Sequence, residues 1–186
     1  MIHSIPTTAR GNRWRWLRRP VTIRAVETGR RSGRIHGIPK MTVSSGGKQI
    51  LLHGMALILV GLVWGFAPPL TPFPRLALGA HIQFVTNGLL LMVLGAVLLK
   101  LPHSVGPKSV CIMVITAWLT WLMALSEAAN SWWGANQMLP IAAKQAGAMG
   151  ATPWQEAVVK LCHLPAAIGL ILSWILLIAG FAKHRE

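Results

Sequence analysis

Four long, predominantly apolar stretches constrain this chain more than any other feature. A helix needs about 20 predominantly apolar residues to cross the roughly 30 Å hydrocarbon layer of a bilayer. The stretches predict an all-α membrane protein, a four-transmembrane-helix bundle, because only helices and closed barrels satisfy their own backbone groups in lipid. The predicted spans cover about 49–70, 76–99, 109–131 and 157–182.

Basic residues are concentrated at the start of the chain. Of 18 Lys and Arg residues, ten lie in the first 40 positions, whereas the whole chain has four acidic residues. Little apolar periodicity accompanies these charges, so residues 1–47 are predicted to form a basic disordered tail. The spans then make one domain over 48–182, followed by a C-terminal tail, 183–186. Because most of the net charge of +14 resides in the first tail, we expect no nucleic acid partner.

Four spans place both termini on the same side of the membrane, and loop charges indicate which side that is. Short cytoplasmic loops carry an excess of Lys and Arg. More basic residues flank the spans on the terminal side than on the other, which predicts cytoplasmic termini. The terminal side has Lys48, Lys100, Lys108, Lys183 and Arg185, and the other side has Arg75, Lys144 and Lys160.

The second span carries polar residues at membrane depth. His81 lies six residues after Arg75, about 9 Å deeper along a helix. An imidazole there could ligate iron or another metal, or hydrogen-bond a backbone carbonyl of a neighbouring helix. Gln83 and Asn87 share one helical face, and Asn87 lies about 240° around the helix from His81. Polar groups on two faces indicate two flanking pockets. Alternatively, Gln83 and Asn87 form interhelical hydrogen bonds.

Glu127 is the only acidic residue well inside a span. A helix that starts near Ser109 would place it about 27 Å along, close to the far interface. Solvation at that interface and burial as a general acid or base both fit the sequence. The topology places Glu127 in the same half of the bilayer as several other polar residues, and this convergence predicts a site. These residues are Arg75, His81, Asn130 and His163.

The start of the last span holds Glu156, Lys160 and His163. Glu156 and Lys160 have the i,i+4 spacing of a favourable helical ion pair. The group therefore fits an interfacial capping cluster, while His163 stays an alternative metal ligand. His53 lies at the opposite face of the membrane.

Two motifs in the body of the chain are more specific than transmembrane composition. One is P-R-L…A-H-x5-N-G, from Pro74 to Gly88, and the other is M-x-P-I-A-A, from Met138 to Ala143. With the apolar run before them, they resemble the hydroxylaminobenzene mutases, small four-span bacterial membrane proteins related to the styrene oxide isomerases. The likeness covers about 50–182. It implies an isomerase that rearranges a hydroxylaminoarene to a 2-aminophenol or, in the related branch, styrene oxide to phenylacetaldehyde.

The resemblance also implies a cofactor, a ferric haem b that acts as a Lewis acid in trimeric assemblies. The iron ligand of the isomerase branch corresponds to His81, and the Asn beside its substrate corresponds to Asn87. Arg75 and Gly88 belong to the same run and are predicted to contact the cofactor. We therefore expect a homotrimer in the bacterial inner membrane that acts on a small aromatic substrate.

The chain departs from the isomerase branch in one respect: it has no Tyr, whereas that branch has a third-helix Tyr beside the substrate. Ser126, Glu127 and Asn130 are the candidates to replace it, and Asn87, Glu127 and Asn130 are the predicted catalytic residues. Two other functions stay open. A non-catalytic haem protein would need a second axial ligand, for which His163 is available, and a transport or assembly subunit would bind no cofactor.

Overall fold

The structure, a computed structural model, describes residues 42–184, which are helical apart from their connections. Four of the helices are long and apolar enough to cross a membrane, which confirms the predicted all-α, four-span fold. The predictions for residues 1–41 and 185–186 lie outside the described residues. In chain order the elements are α1 (Val43–Trp64), a 3₁₀ turn (Pro68–Leu70), α2 (Pro74–Lys100), α3 (Pro107–Trp133), α4 (Pro140–Gln145) and α5 (Pro153–Lys183).

Local sequence signals set the start of each helix. α1 begins with a capping box, in which Ser45 N donates to Thr42 Oγ1 and Thr42 N donates to Ser45 Oγ, both at 3.1 Å. The other helices begin with proline, whose missing N–H has no partner to lose at the first helical position. These prolines are Pro74, Pro107, Pro140 and Pro153.

α1 lies earlier in the chain than predicted, at Val43–Trp64 instead of about 49–70. Residues 43–47, which were predicted to belong to the tail, are therefore helical. The capping box fixes the early start. After Gly65 the chain tightens, because Phe66 N donates to Val63 O and Ala67 N to Trp64 O. Pro68 and Pro69 then cannot continue the helix.

The third long helix organises the bundle. α3 packs against α1, α2 and α5, and α1 and α2 also pack along each other. The outward faces, most of all that of α5, carry Ile and Leu side chains that would contact lipid. The largest buried apolar side chains in the core between α1, α2 and α3 are Ile50, Leu57, Phe84, Leu91, Leu94 and Met113.

Glycines allow α1 and α2 to approach each other closely. A Cβ atom on Gly54 would lie 2.5 Å from Met92 N and 2.6 Å from Gly88 O, and one on Gly95 would lie 2.6 Å from Leu51 N. These neighbours are backbone atoms, so they cannot move without separating the helices. Small residues at this interface are a common way to pack helices in lipid, where apolar burial drives association weakly.

We expect Gly54→Ala to destabilise the bundle by about 1–3 kcal/mol, because the added methyl group collides with the α2 backbone. Gly47→Ala is the matched control on the same face of α1. Its Cβ would lie 3.2 Å from the Leu99 side chain, which can shift. Unfolding of detergent-purified protein, followed by Trp fluorescence, measures both variants. Equal stability of the two would contradict the close backbone contact.

Candidate functional site

His81 lies on α2 where the helix faces the end of α1. Its Nδ1 is 2.7 Å from Gly61 O. Because a carbonyl oxygen only accepts hydrogen bonds, Nδ1 carries the proton and Nε2 keeps its lone pair. A Cβ on Gly65 would lie 3.2 Å from the ring, so this glycine leaves room for the imidazole. The partly buried ring is thus held in the tautomer that a metal ligand uses, with the second nitrogen fixed by a carbonyl.

A polar cluster lies on another side of α2, where α3 and α5 approach it. We define the polar cluster as Gln83, Glu127 and His163. Glu127 Oε2 lies 3.6 Å from His163 Nε2, and Gln83 Nε2 lies 3.4 Å from the same ring nitrogen. His163 Nδ1 is 2.8 Å from Val159 O and 3.4 Å from Ser126 Oγ. Val159 O must accept, so Nδ1 carries the proton and Nε2 faces the carboxyl group.

Three buried polar atoms on this side have no hydrogen-bond partner among the described residues: Gln83 Oε1, Asn87 Nδ2 and Glu127 Oε2. An unpaired buried polar group costs about 1–3 kcal/mol. Such groups in an apolar bundle indicate that something else binds there, such as water or a small ligand with its own donors and acceptors.

His81 and His163 contact different neighbours. His81 bonds to α1, whereas His163 meets Gln83, which is two residues and about 200° around α2 from His81. Within one subunit the two imidazoles therefore do not face a common position. The described residues also contain no group of three or more His, Cys, Asp or Glu side chains placed to hold a metal ion.

Comparison of the sequence with known proteins shows which family the chain belongs to. The sequence model of styrene oxide isomerase matches residues 47–182. The chain belongs to the styrene oxide isomerase family. The hydroxylaminobenzene mutase HabB of Ectopseudomonas oleovorans is 32% identical over 135 residues, which cover 72% of this chain and 79% of that protein. HabA, a hydroxylaminobenzene mutase of the same organism, is 29% identical over 136 residues, which cover 72% and 97%. No solved structure matches.

Membership in the styrene oxide isomerase family makes the protein an isomerase. Its four-span helical domain includes His81, the polar cluster and Asn87, so the polar positions predicted from the sequence lie within the matched region. The structure brings Glu127 and His163 together, as the predicted convergence requires.

Three other predicted site residues of this isomerase also have structural contacts. Asn130 Oδ1 accepts from Ala135 N at 2.7 Å and its Nδ2 donates to Ala135 O at 3.4 Å, so this side chain holds the loop after α3. Gly88 packs on α1, where a Cβ would lie 2.8 Å from Gly54 O. Gly88 therefore serves helix packing, and its predicted contact with a cofactor stays a prediction. Arg75 is exposed, and its Nε donates to Gln145 Oε1 at 3.0 Å.

Glu156 organises the long connection between α3 and α5. Its Oε1 accepts from the backbone N–H of Asn136 and Ala151 at 2.9 and 3.2 Å, and its Oε2 accepts from Gln137 N at 3.1 Å. Lys160 donates to Gln137 Oε1 and so also bonds the connection, while its charge acts on the Glu156 carboxylate as the predicted pair requires. The capping cluster predicted at the start of the last span is therefore present. Its partners are backbone groups of the preceding loop, which the sequence does not identify.

We expect Glu156→Gln to loosen this connection by about 1–3 kcal/mol, because an amide cannot accept all three N–H groups. Trypsin cleavage after Lys144, which lies in the connection, should become faster in detergent. Lys160→Met removes only an exposed contact to the same loop and serves as the control. Unchanged cleavage in the Glu156 variant would show that the carboxylate does not hold the loop.

Proposed function

We propose that this isomerase rearranges a hydroxylaminoarene to a 2-aminophenol within the membrane. The observation that carries the proposal is the set of unpaired polar atoms of Gln83, Asn87 and Glu127, buried in an otherwise apolar bundle. A hydroxylaminoarene matches such a site, because its ring needs apolar walls and its N–H and O–H groups need acceptors and a donor. The names of the two relatives support this substrate class.

Asn87 and Glu127 have separate parts in this proposal. The Asn87 amide donates to the substrate oxygen, and such a donor stabilises the charge that develops there as the N–O bond breaks. Glu127 exchanges protons with the substrate. The apolar walls exclude water, which would otherwise capture the electron-poor ring.

We further propose a ferric haem b bound through His81. The residues fit this group, because Nδ1 is fixed on Gly61 O and Nε2 is available, and a haem iron needs few protein ligands since the porphyrin supplies the equatorial nitrogens. When bound between neighbouring subunits, a ferric iron would supply Lewis acidity that polarises the N–O bond of a substrate on the Asn87 side of α2. Arg75 lies at the same end of α2, and its contact with the cofactor stays a prediction.

The proposed setting is a homotrimer in the bacterial inner membrane with cytoplasmic termini. The four spans and the bias of basic residues towards the terminal side support this orientation. The partly buried His81 ring supports a cofactor placed between neighbouring subunits.

Product analysis tests the reaction directly. Membranes that contain the protein are incubated with phenylhydroxylamine and, separately, with styrene oxide, and membranes without it serve as the control. Formation of 2-aminophenol is the expected result. Phenylacetaldehyde alone would assign the other reaction, which the matched family's name favours. If neither 2-aminophenol nor phenylacetaldehyde forms, the proposal is overturned.

A further inference from the structure

The rearrangement of a hydroxylaminoarene includes a proton transfer that an epoxide rearrangement lacks. The N–O bond breaks and the oxygen bonds to the ortho carbon, which leaves that carbon with both H and OH and leaves the nitrogen as an imine. To reach 2-aminophenol, the ortho carbon must lose its proton and the nitrogen must gain one. An epoxide becomes an aldehyde when a hydrogen moves with its electron pair to the adjacent carbon, so no protein base is required.

We propose that Glu127 and His163 share one proton and use it to move this hydrogen from the ortho carbon to the nitrogen. The inference rests on the proposed function. Glu127 Oε2 and His163 Nε2 are 3.6 Å apart, and the two side chains are 2% and 4% exposed. Glu127 contacts the substrate, and His163 is a positioning residue that acts through Glu127.

The hydrogen-bond pattern of His163 leaves one ring nitrogen for this exchange. Nδ1–H donates to Val159 O at 2.8 Å, which fixes the ring and directs Nε2 towards Glu127. The Gln83 amide, on α2, lies 3.4 Å from Nε2 and packs beside the ring. Glu127 Oε2 has no other partner among the described residues, so it is free to face a ligand.

Charge and atoms balance over the cycle. The pair starts with one proton and gives it to the imine nitrogen, so the substrate becomes an iminium ion beside the Glu127 carboxylate. The C–H bond at the ortho carbon then breaks, its electron pair restores the aromatic ring, and the proton goes to Glu127. The net charge of the buried site stays constant, which matters because an isolated charge is costly in a low-dielectric interior. No oxidant or reductant is consumed.

Isotope effects in variants of the holoenzyme test the pair. Phenylhydroxylamine and its ortho-dideuterated form are the substrates for wild type, Glu127→Gln, Glu127→Asp and His163→Gln. Ser173→Ala is the control, since Ser173 Oγ is also buried and unpaired among the described residues but lies outside the polar cluster. Elution on gel filtration identifies folded variants.

We expect turnover to fall about 100-fold or more in Glu127→Gln and about tenfold in His163→Gln, with partial recovery in Glu127→Asp. The deuterium isotope effect should increase in these variants, because the C–H step becomes limiting; a purely structural defect would not change it. If folded Glu127→Gln or His163→Gln keeps the wild-type turnover and isotope effect, the proposed proton transfer by Glu127 and His163 is overturned, and the proposed function is not affected. Wild type that forms no 2-aminophenol would overturn the proposed function as well.

Discussion

His81→Ala is expected to yield a protein that binds no haem and forms no measurable product. The imidazole is the proposed iron ligand, and alanine provides no donor atom in its place. Its Nδ1 is already held by Gly61 O at 2.7 Å, so the wild-type ring needs little reorganisation to bind iron. The absorbance spectrum of detergent-purified protein reports the haem, and 2-aminophenol formation reports activity.

His53→Ala is the matched control for this experiment. His53 Nδ1 accepts from Trp121 Nε1 at 3.0 Å, and His53 lies eight residues before Gly61, about 12 Å away along α1. Its loss should leave the haem spectrum in place. A haem spectrum that persists in His81→Ala would remove His81 as the ligand, and a wild-type protein without haem absorbance would remove the cofactor from the proposal.

The sequence is sufficient for the four-span fold because bilayer thickness sets the length of each apolar run. α2, α3 and α5 begin two to four residues before their predicted starts, since a proline opens each of them. The predicted bounds of α1 lay six residues too late at both ends. The capping box that starts α1 lies in polar sequence, which hydropathy assigns to the tail. The end of α1 is set by a local tightening of the backbone before Pro68 and Pro69, which hydropathy does not detect.

The candidate site was only partly accessible from the sequence. Depth arguments grouped Glu127 with His163, and helical geometry separated the His81 face from the face of Gln83 and Asn87; the structure agrees with both. The same arguments predict Asn130 as a catalytic residue, and they do not show that its side chain also bonds to the backbone of Ala135. Loop backbone has no periodicity in the sequence, so side chains that bond to it look the same as side chains that are free for a ligand.

Asn87→Leu is the second decisive substitution, since we expect it to separate function from stability. Leucine has the same number of side-chain heavy atoms as asparagine and the same branching at Cγ, but it lacks the amide that would donate to the substrate oxygen. Loss of one such donor costs about 2–4 kcal/mol of transition-state stabilisation, or about 100-fold or more in turnover. Haem binding should be retained, because Asn87 lies on a different face of α2 from His81, about 240° around the helix.

The stability of the same variant should not fall. Asn87 is 7% exposed, and its Nδ2 has no partner among the described residues, so leucine removes an unpaired polar atom from an apolar surrounding. Replacing such an atom by an apolar group of similar shape is neutral or stabilising. Unfolding in detergent and turnover of phenylhydroxylamine by the haem-loaded fraction are measured on one preparation. A variant that is less stable and turns over normally would show that the Asn87 amide holds helices together, and the substrate oxygen would then need another donor.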